Sequence, residues 1–203
     1  MEINHIIFDL GNTLIDFDLH LASGRLSETF KAPENDIYDF LFKSDFFTRF
    51  ERGDIGPAEL VSILNQKYHQ DLTIDQFDRM FSPIFTPRPK MVSLIEILKD
   101  DYELSILSNT NMLHSRYIEG TFPFLKSFDH LFYSFALRTL KPHPEIFHEA
   151  LSRTYSSPRE CVFIDDIPMH VEGAARVGIS AIQFQGEESL KRDLKTKGIL
   201  GSF

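Results

Sequence analysis

Two short apolar runs, one near each end of the chain, lead directly into aspartate. Residues 3–8 precede Asp9, and residues 161–164 precede Asp165 and Asp166. A run of four to eight mostly apolar residues that ends in polar turn residues is typical of a buried strand. The pattern therefore predicts two buried strands that carry carboxylates at their carboxyl ends.

Helical and strand patterns alternate after residue 88. The helices are predicted over residues 89–99, 144–153 and 171–177, and the strands over residues 103–107 and 180–184. This alternation is typical of βαβ units, so we expect an α/β fold with a Rossmann-like parallel sheet as its core. Ligands bind beyond the carboxyl ends of the strands in such a sheet. The side chains that this rule gathers at one edge are Asp9, Ser108, Asp165 and Asp166.

Residues 17–87 have a different pattern, with helical segments separated by proline and glycine and no convincing strand. Residues 57–68, for example, place their apolar side chains on one helical face. We expect residues 17–87 to form a helical domain inserted into a core domain. That core domain would consist of residues 1–16 and 88–203.

Composition narrows the class of protein. The chain has 203 residues, of which 42% are hydrophobic and 25% charged, and its net charge is −9. This charge argues against nucleic acid as a partner, since nucleic acids are bound by clustered lysine and arginine. No apolar stretch approaches a membrane span and no leader precedes the first strand, so we expect no membrane partner and a cytoplasmic location. Cys161 is expected to be a buried apolar side chain.

The carboxylates suit a hard cation. Mg²⁺ prefers oxygen ligands and is often bound by one or two carboxylates together with a substrate phosphate. Asp9 and Asp166 would supply these carboxylates. Zinc is not expected, because His143 and His148 are five residues apart, whereas a helical pair of zinc ligands is four apart.

Four motifs in a fixed order resemble those of the haloacid dehalogenase-like (HAD) hydrolase superfamily. In chain order they are Asp9, Ser108 with Asn109, Lys141, and Asp165 with Asp166. The resemblance implies a Mg²⁺-dependent phosphatase that acts on a small phosphorylated metabolite. Asp9 would attack phosphorus to give an aspartyl-phosphate and would also bind the metal. Lys141 would offset the phosphoryl charge.

The resemblance also implies roles for the neighbouring residues. Ser108 would bind phosphate through its hydroxyl group and Asn109 through its backbone amide. The backbone carbonyl of Gly11 would be the third protein ligand of the metal, beside the two carboxylates. Thr13 would orient the nucleophile's loop, and Asp165 would support the site.

One position departs from the superfamily pattern. HAD phosphatases usually carry a second aspartate two residues after the nucleophile, where it is the general acid and base, and here that position is Gly11. Residues 8–12, 107–111 and 163–166 together most resemble the bacterial α-D-glucose-1-phosphate phosphatase group, which shares the glycine.

The missing aspartate has a consequence for the substrate. Without that acid, substrates whose leaving group needs little protonation should be favoured, and a sugar 1-phosphate is one of them. Another group could replace the acid, and Asp16, Asp18 and His20 are near in sequence. His170, the fourth residue after Asp166, stands where the superfamily often has an acidic residue, so we do not extend the metal shell to it.

Residues 17–87 resemble the helical cap of type-one HAD enzymes, which closes over the site. Five phenylalanines of this segment fall within eleven residues: Phe40, Phe42, Phe46, Phe47 and Phe50. We expect most of them to form a small cap core and one or two to line the pocket. Three charged neighbours could either contact the substrate or form a solvated face: Arg49, Glu51 and Arg52.

Two other functions stay open. The first is a metal-independent dehalogenase that uses Asp9 on carbon, although the Asp165–Asp166 pair counts against it. The second is a non-catalytic protein that binds a phosphate ligand, since the usual acid is absent at Gly11. The substrate and the oligomeric state do not follow from the sequence.

Overall fold

The protein folds around a five-stranded parallel sheet. The computed structural model describes residues 2–201. Its elements are β1 His5–Phe8, β2 Ile15–Phe17, α1 Leu19–Phe30, α2 Glu34–Phe42, α3 Asp45–Glu51, α4 Pro57–Tyr68, α5 Ile74–Phe81, β3 Phe85–Pro87, α6 Pro89–Leu98, β4 Glu103–Ser108, α7 Met112–Thr121, β5 His130–Tyr133, α8 Ser134–Leu137, α9 Pro144–Thr154, β6 Cys161–Asp165, α10 Pro168–Arg176, β7 Ser180–Gln183 and α11 Glu187–Thr196. The strand order is β5-β4-β1-β6-β7, and all neighbouring pairs are parallel. The predicted α/β fold is confirmed.

The central strand β1 is buried on both faces of the sheet. Ile6 and Phe8 pack in one apolar cluster, while Ile7 packs in another with Phe147 of α9. Successive strand side chains point to opposite faces, so a strand covered on both sides needs apolar residues at nearly every position. This explains the continuous apolar run that precedes Asp9.

Helices α1 to α5 pack around a separate apolar cluster, to which Leu113 of α7 also belongs. Its fully buried aromatic members are Phe50, Phe77 and Phe81. Helix α5 begins with a capping box, in which the Thr73 side chain accepts from the Gln76 amide and Gln76 bonds back to Thr73. The division into a core domain and a cap at residues 17–87 stays a prediction. Within the predicted core range, Met1, Ser202 and Phe203 lie outside the described residues.

The expectation of no strand within residues 17–87 is wrong. Strand β3 pairs antiparallel with β2, and this pairing places Phe17 opposite Phe85 and Ile15 opposite Pro87. Each strand has only three residues, and the partners are about 70 positions apart along the chain. Such a pairing depends on tertiary structure and leaves almost no periodicity in the sequence.

Several elements differ from the predicted ones at their ends, and some were missed. Helix α10 begins at Pro168, three residues before the predicted start, with proline in its first turn. The edge strand β5 and helix α7 were not predicted. Cys161 is fully buried, as expected. Within residues 2–201, no helix is long and apolar enough to cross a membrane, and the cellular location stays a prediction.

Candidate active site

Four of the predicted site residues meet at one edge of the sheet. Asp9 directly follows β1, Ser108 ends β4, and Asp165 ends β6 with Asp166 after it. Strands β4 and β6 are the two parallel neighbours of β1, so their carboxyl ends lie side by side. The topology therefore brings together residues that are up to 157 positions apart in the sequence.

Lys141 reaches this edge from the segment between α8 and α9. Its Nζ donates to Asp9 Oδ1 and to Asp165 Oδ2, at 2.6 Å in both cases. The side chains of Lys141 and Asp165 are completely buried, and that of Asp9 nearly so. Buried charges are tolerated only when they are paired and hydrogen-bonded. The two carboxylates thus fix the lysine beside the predicted nucleophile.

Burial and neighbouring charges shift the pKa values of Asp9, Lys141 and Asp165 in opposite directions. Burial raises the pKa of Asp9 to about 6, and the Lys141 cation partly offsets this effect. Burial alone would lower the pKa of Lys141, but Asp9 and Asp165 outweigh it and raise that pKa. Burial alone would raise the pKa of Asp165, but Lys141 and then His170 outweigh it and lower that pKa. Lys141 is therefore a cation and Asp165 an anion at neutral pH.

The two adjacent aspartates have different surroundings. Asp165 Oδ1 accepts from the Ile167 amide at 2.8 Å, and His170 Nδ1 lies 3.0 Å from Asp165 Oδ2. No side chain among residues 2–201 donates a hydrogen bond to the Asp166 carboxylate, which is half-buried. The Asp165 carboxylate is thus fully hydrogen-bonded to other groups of the protein, while the Asp166 carboxylate is available to a ligand.

The carboxylates fit the predicted magnesium ion. One oxygen from each of Asp9, Asp165 and Asp166 can be chosen so that all three lie within 4.8 Å of one another. An all-oxygen donor set of this kind suits Mg²⁺. Since the oxygens of Asp165 already have partners, Asp9 and Asp166 are the carboxylates that would hold the ion. Gly11, whose carbonyl is the third predicted ligand, lines the same cavity.

Ser108 and Asn109 differ in how their side chains are used. The Ser108 hydroxyl has no hydrogen-bond partner among the described residues, and the residue lines the cavity. Asn109 Oδ1 accepts from the Lys141 amide at 2.8 Å, and Asn109 Nδ2 donates to the Lys141 carbonyl at 3.0 Å. These two bonds hold the segment of Lys141 against the end of β4. Asn109 can therefore offer a phosphate only its backbone amide, which is the role predicted for it.

The turn after Asp9 is tight and buried. Asn12 has a φ of 54°, in the left-handed region that asparagine tolerates better than most residues. Thr13 is fully buried, and its hydroxyl has no hydrogen-bond partner within residues 2–201. The predicted role of Thr13 in orienting the loop would then depend on packing, and it stays a prediction.

A cavity of about 300 Å³ lies at this edge of the sheet. It is lined by the residues at the strand ends and by residues of the 17–87 segment. Its polar lining includes Asp9, Ser108, Asn109, Lys141 and Asp166. Its apolar lining consists of Leu10, Ile15, Phe17, Leu19, Phe47, Ile84, Phe85, Ile118 and Ile167. Small-molecule sites typically combine apolar walls with a few converging polar groups.

The model of the haloacid dehalogenase-like hydrolase family matches residues 3–178 of the chain. The protein belongs to this family. The match covers all four motifs, from Asp9 to Asp166. The predicted superfamily and its hydrolase activity are thereby confirmed.

This HAD-like hydrolase resembles several characterised proteins. It is 24% identical over 200 residues to D-ribitol-5-phosphate phosphatase of Bacteroides thetaiotaomicron, covering 95% of this chain and 97% of that protein. It is 26% identical to HAD family enzyme bt-2542 of the same organism, solved in complex with magnesium and inorganic phosphate. That likeness has a TM-score of 0.80 and covers 91% of this chain and 96% of the other.

The fold also resembles that of L-2-haloacid dehalogenase from Xanthobacter autotrophicus. The TM-score is 0.64 at 19% identity, and the match covers 98% of this chain and 85% of the dehalogenase. At this identity the likeness concerns the fold alone.

In this HAD-like hydrolase, residues 17–87, the predicted cap, contribute one carboxylate to the cavity. Glu51, the last residue of α3, lines the cavity and is half-buried. Burial raises the pKa of Glu51 to about 7; the Lys141 cation lowers it and the Asp9 carboxylate adds to the rise. The sequence identified Glu51 only as one of three charged candidates. The other two have partners elsewhere, Arg52 with Asp54 and Arg49 with Glu59.

The cap phenylalanines are divided largely as expected. Phe50 belongs to the apolar cluster of helices α1 to α5, and three others pack against that cluster: Phe40, Phe42 and Phe46. Phe47 also packs against that cluster and lines the cavity.

Two histidines of the cavity were not predicted as site residues. His170 lies against Asp165, as described above. His114 is buried and stacks on Phe81 with ring centroids 4.3 Å apart. Burial lowers the pKa of His114 to about 3, so its ring is neutral. The spacing from Asp166 drew attention to His170 only as a departure from the superfamily, and no motif marks His114. Each histidine meets its partners through tertiary packing, which the sequence does not show.

Proposed function

We propose that this protein is a Mg²⁺-dependent phosphatase that hydrolyses a small phosphorylated sugar or sugar alcohol through an aspartyl-phosphate intermediate. The observation that carries this proposal is the arrangement of a buried lysine between two aspartates next to an unpaired third. Lys141 contacts Asp9 and Asp165, while Asp166 is left free for a cation. The ribitol-phosphate phosphatase relative and the magnesium and phosphate bound by bt-2542 support it.

The residues divide the chemistry between them. A carboxylate oxygen of Asp9 attacks phosphorus in line with the leaving oxygen, and the phosphorus–oxygen bond of the ester breaks. Water then attacks the aspartyl-phosphate and releases phosphate and Asp9. Lys141 and the Ser108 hydroxyl hold the phosphoryl oxygens as negative charge develops on them. Magnesium held by Asp9, Asp166 and the Gly11 carbonyl would neutralise part of that charge.

The size of the cavity supports a small substrate. A volume of about 300 Å³ is at the lower end of the range for ligand sites, which suits one small metabolite. The sequence resemblance favours a sugar 1-phosphate, whereas the curated relative acts on ribitol 5-phosphate. We propose a phosphorylated sugar or polyol as the class and keep the sugar 1-phosphate as one member of it. On this proposal residues 17–87 are a type-one cap.

The test is a screen for phosphate release with and without Mg²⁺. The panel contains glucose 1-phosphate, glucose 6-phosphate, ribitol 5-phosphate and an aryl phosphate. Mg²⁺-dependent release that is lost in Asp9→Asn is expected. No release from any ester by folded protein would favour the phosphate-binding alternative. Chloride release from a 2-chloroacid without Mg²⁺ would favour the dehalogenase, against which the unpaired Asp166 argues.

A further inference from the structure

An acid at residue 11 would require Phe17 to move. A Cβ built on Gly11 would lie 2.9 Å from Cε1 of Phe17, which is closer than side chains pack. Phe17 lines the cavity and thus fills space that an aspartate at this position would need. A proton donor for the leaving group, if the protein has one, must therefore come from another element.

The three titratable residues that follow the nucleophile closely in the sequence are hydrogen-bonded to groups outside the cavity. Asp16 is paired with Arg88 at 2.6 Å, and the Asp18 side chain caps the first turn of α1. His20 lies 2.9 Å from Glu34. None of the three lines the cavity described above. The sequence neighbours of Asp9 thus do not replace the missing acid.

Glu51 is the carboxylic acid that the cap places in the cavity. Its carboxylate has no hydrogen-bond partner among residues 2–201, in contrast to Asp165 with its several donors. It lies close enough to Asp9 and Lys141 for both charges to affect it. With its pKa raised to about 7 by burial, the group is a poised acid and base near neutral pH.

The backbone around Glu51 is fixed to the core. Ser134 Oγ donates to the Glu51 carbonyl at 2.6 Å, and Arg138 Nη1 donates to the Gly53 carbonyl at 2.6 Å. Gly53 has a φ of 76°, and a Cβ there would lie only 2.4 Å from the Phe135 carbonyl oxygen. Glycine therefore permits a close approach between cap and core beside Glu51. This contact fixes the backbone of Glu51 beside the cavity, and the Glu51 carboxylate has no hydrogen-bond partner among the described residues.

We propose that Glu51 is the general acid and base of this site, in place of the aspartate absent at Gly11. In the first step the Glu51 carboxylic acid gives its proton to the leaving oxygen as the ester bond to phosphorus breaks. In the second step the Glu51 carboxylate takes a proton from the water that attacks the aspartyl-phosphate. Ester and water are thus converted to alcohol and phosphate with Glu51 restored. This inference rests on the proposed phosphatase function.

The test compares an alkyl and an aryl ester in Glu51→Gln. Glutamine keeps the size of the side chain but cannot donate a proton of comparable acidity. The release of alcohol from glucose 6-phosphate should fall by roughly 10²–10⁴-fold, the usual contribution of a general acid. The release of nitrophenol from p-nitrophenyl phosphate in a single turnover should change much less, because nitrophenolate leaves without a proton. The aspartyl-phosphate should accumulate, since its hydrolysis also loses the base.

Two control variants show whether an effect of Glu51→Gln is specific to Glu51. Glu59→Gln changes an exposed carboxylate of the same cap and should leave both rates unchanged. His170→Gln tests a second side chain that lines the cavity and could transfer a proton, the imidazole that lies against Asp165. If Glu51→Gln lowers the alkyl and aryl rates equally, or if only His170→Gln changes their ratio, Glu51 is not the acid. If the wild type shows no turnover that depends on Asp9, the phosphatase proposal fails and this inference fails with it.

Discussion

The sheet edge and residues 17–87, the predicted cap, contribute to the cavity in opposite ways. At the sheet edge Lys141, Asp9 and Asp165 are deeply buried and paired with one another, and only Asp166 is left half-buried and without a side-chain partner in the described part of the chain. The cap contributes apolar and aromatic side chains and Glu51, whose carboxylate has no hydrogen-bond partner in the described part of the chain. The sheet edge thus holds a fixed cation between two carboxylates before any substrate binds. The cap holds an acid whose ionised form is destabilised.

The difference shows how one fold can separate two requirements of catalysis. Charge stabilisation needs groups that do not move, so they belong on rigid strand ends. A proton donor needs a pKa near the working pH, which partial burial without a partner provides. Four predictions test this contrast, from the largest expected effect to the smallest.

Replacing the nucleophile should have the largest effect. Asp9→Asn should reduce turnover by roughly 10⁴-fold or more, because an amide can neither attack phosphorus nor balance the cation. Mg²⁺-dependent phosphate release measures this effect, with thermal unfolding as a check of folding. A variant that keeps more than a few per cent of wild-type activity would show that another group attacks phosphorus.

Removing the central cation should affect stability most strongly. Lys141→Met leaves Asp9 and Asp165 buried without their shared partner and should lower the free energy of unfolding by about 3–5 kcal/mol. Denaturant unfolding in the absence of Mg²⁺ measures this loss. Lys90→Met is the matched control, since Lys90 is exposed and 3.9 Å from its partner, and it should change stability by less than about 0.5 kcal/mol. Equal losses of unfolding free energy in the two variants would show that the contacts of Lys141 with Asp9 and Asp165 do not stabilise the fold.

Crowding the cap–core contact should have an intermediate effect. Gly53→Ala places a methyl group against the Phe135 carbonyl at a left-handed φ, and should destabilise the protein by about 1–3 kcal/mol. Gly56→Ala is the control, because a Cβ on Gly56 would meet no atom within 4 Å. We also expect Gly53→Ala to slow alkyl esters more than aryl esters, since it displaces Glu51. Unfolding curves and the ratio of the two rates check both parts.

Glu51 should lower stability at alkaline pH. Its pKa is about 7 in the folded protein and 4.5 as the ordinary value, so the folded state binds more protons between these pH values. The free energy of unfolding contributed by this group therefore falls as pH rises from 4.5 to 7. Glu51→Gln should be more stable than the wild type by about 1–2 kcal/mol at pH 8, after allowance for the half-buried side chain, and equal to it near pH 4. Unfolding measured at both pH values in EDTA tests the sign.

The core elements could be predicted because their signals are local. The strands ending at Asp9 and Asp165, and helices α4, α6 and α9, each carry their periodicity within a dozen residues. Strand β5 and the β2–β3 pair could not be predicted from the sequence. Each of these short strands is held by partners far along the chain, and three or four residues leave too little local pattern. The role of Glu51 was hidden for the same reason. A charged residue at a helix end is usually solvated, and only the docking of α3 on α8 places it in the cavity.

The sequence by itself determined the alternation of strands and helices, the order of the four motifs and the departure at Gly11, because each is a property of neighbouring residues. Tertiary structure alone decided which polar groups are paired and which are free. Asp165 and Asp166 are adjacent in sequence, yet one is enclosed by Lys141 and His170 while the other faces the cavity. The reason is that burial and pairing depend on groups brought together from distant parts of the chain, and these contacts set the charge and the chemistry of each carboxylate.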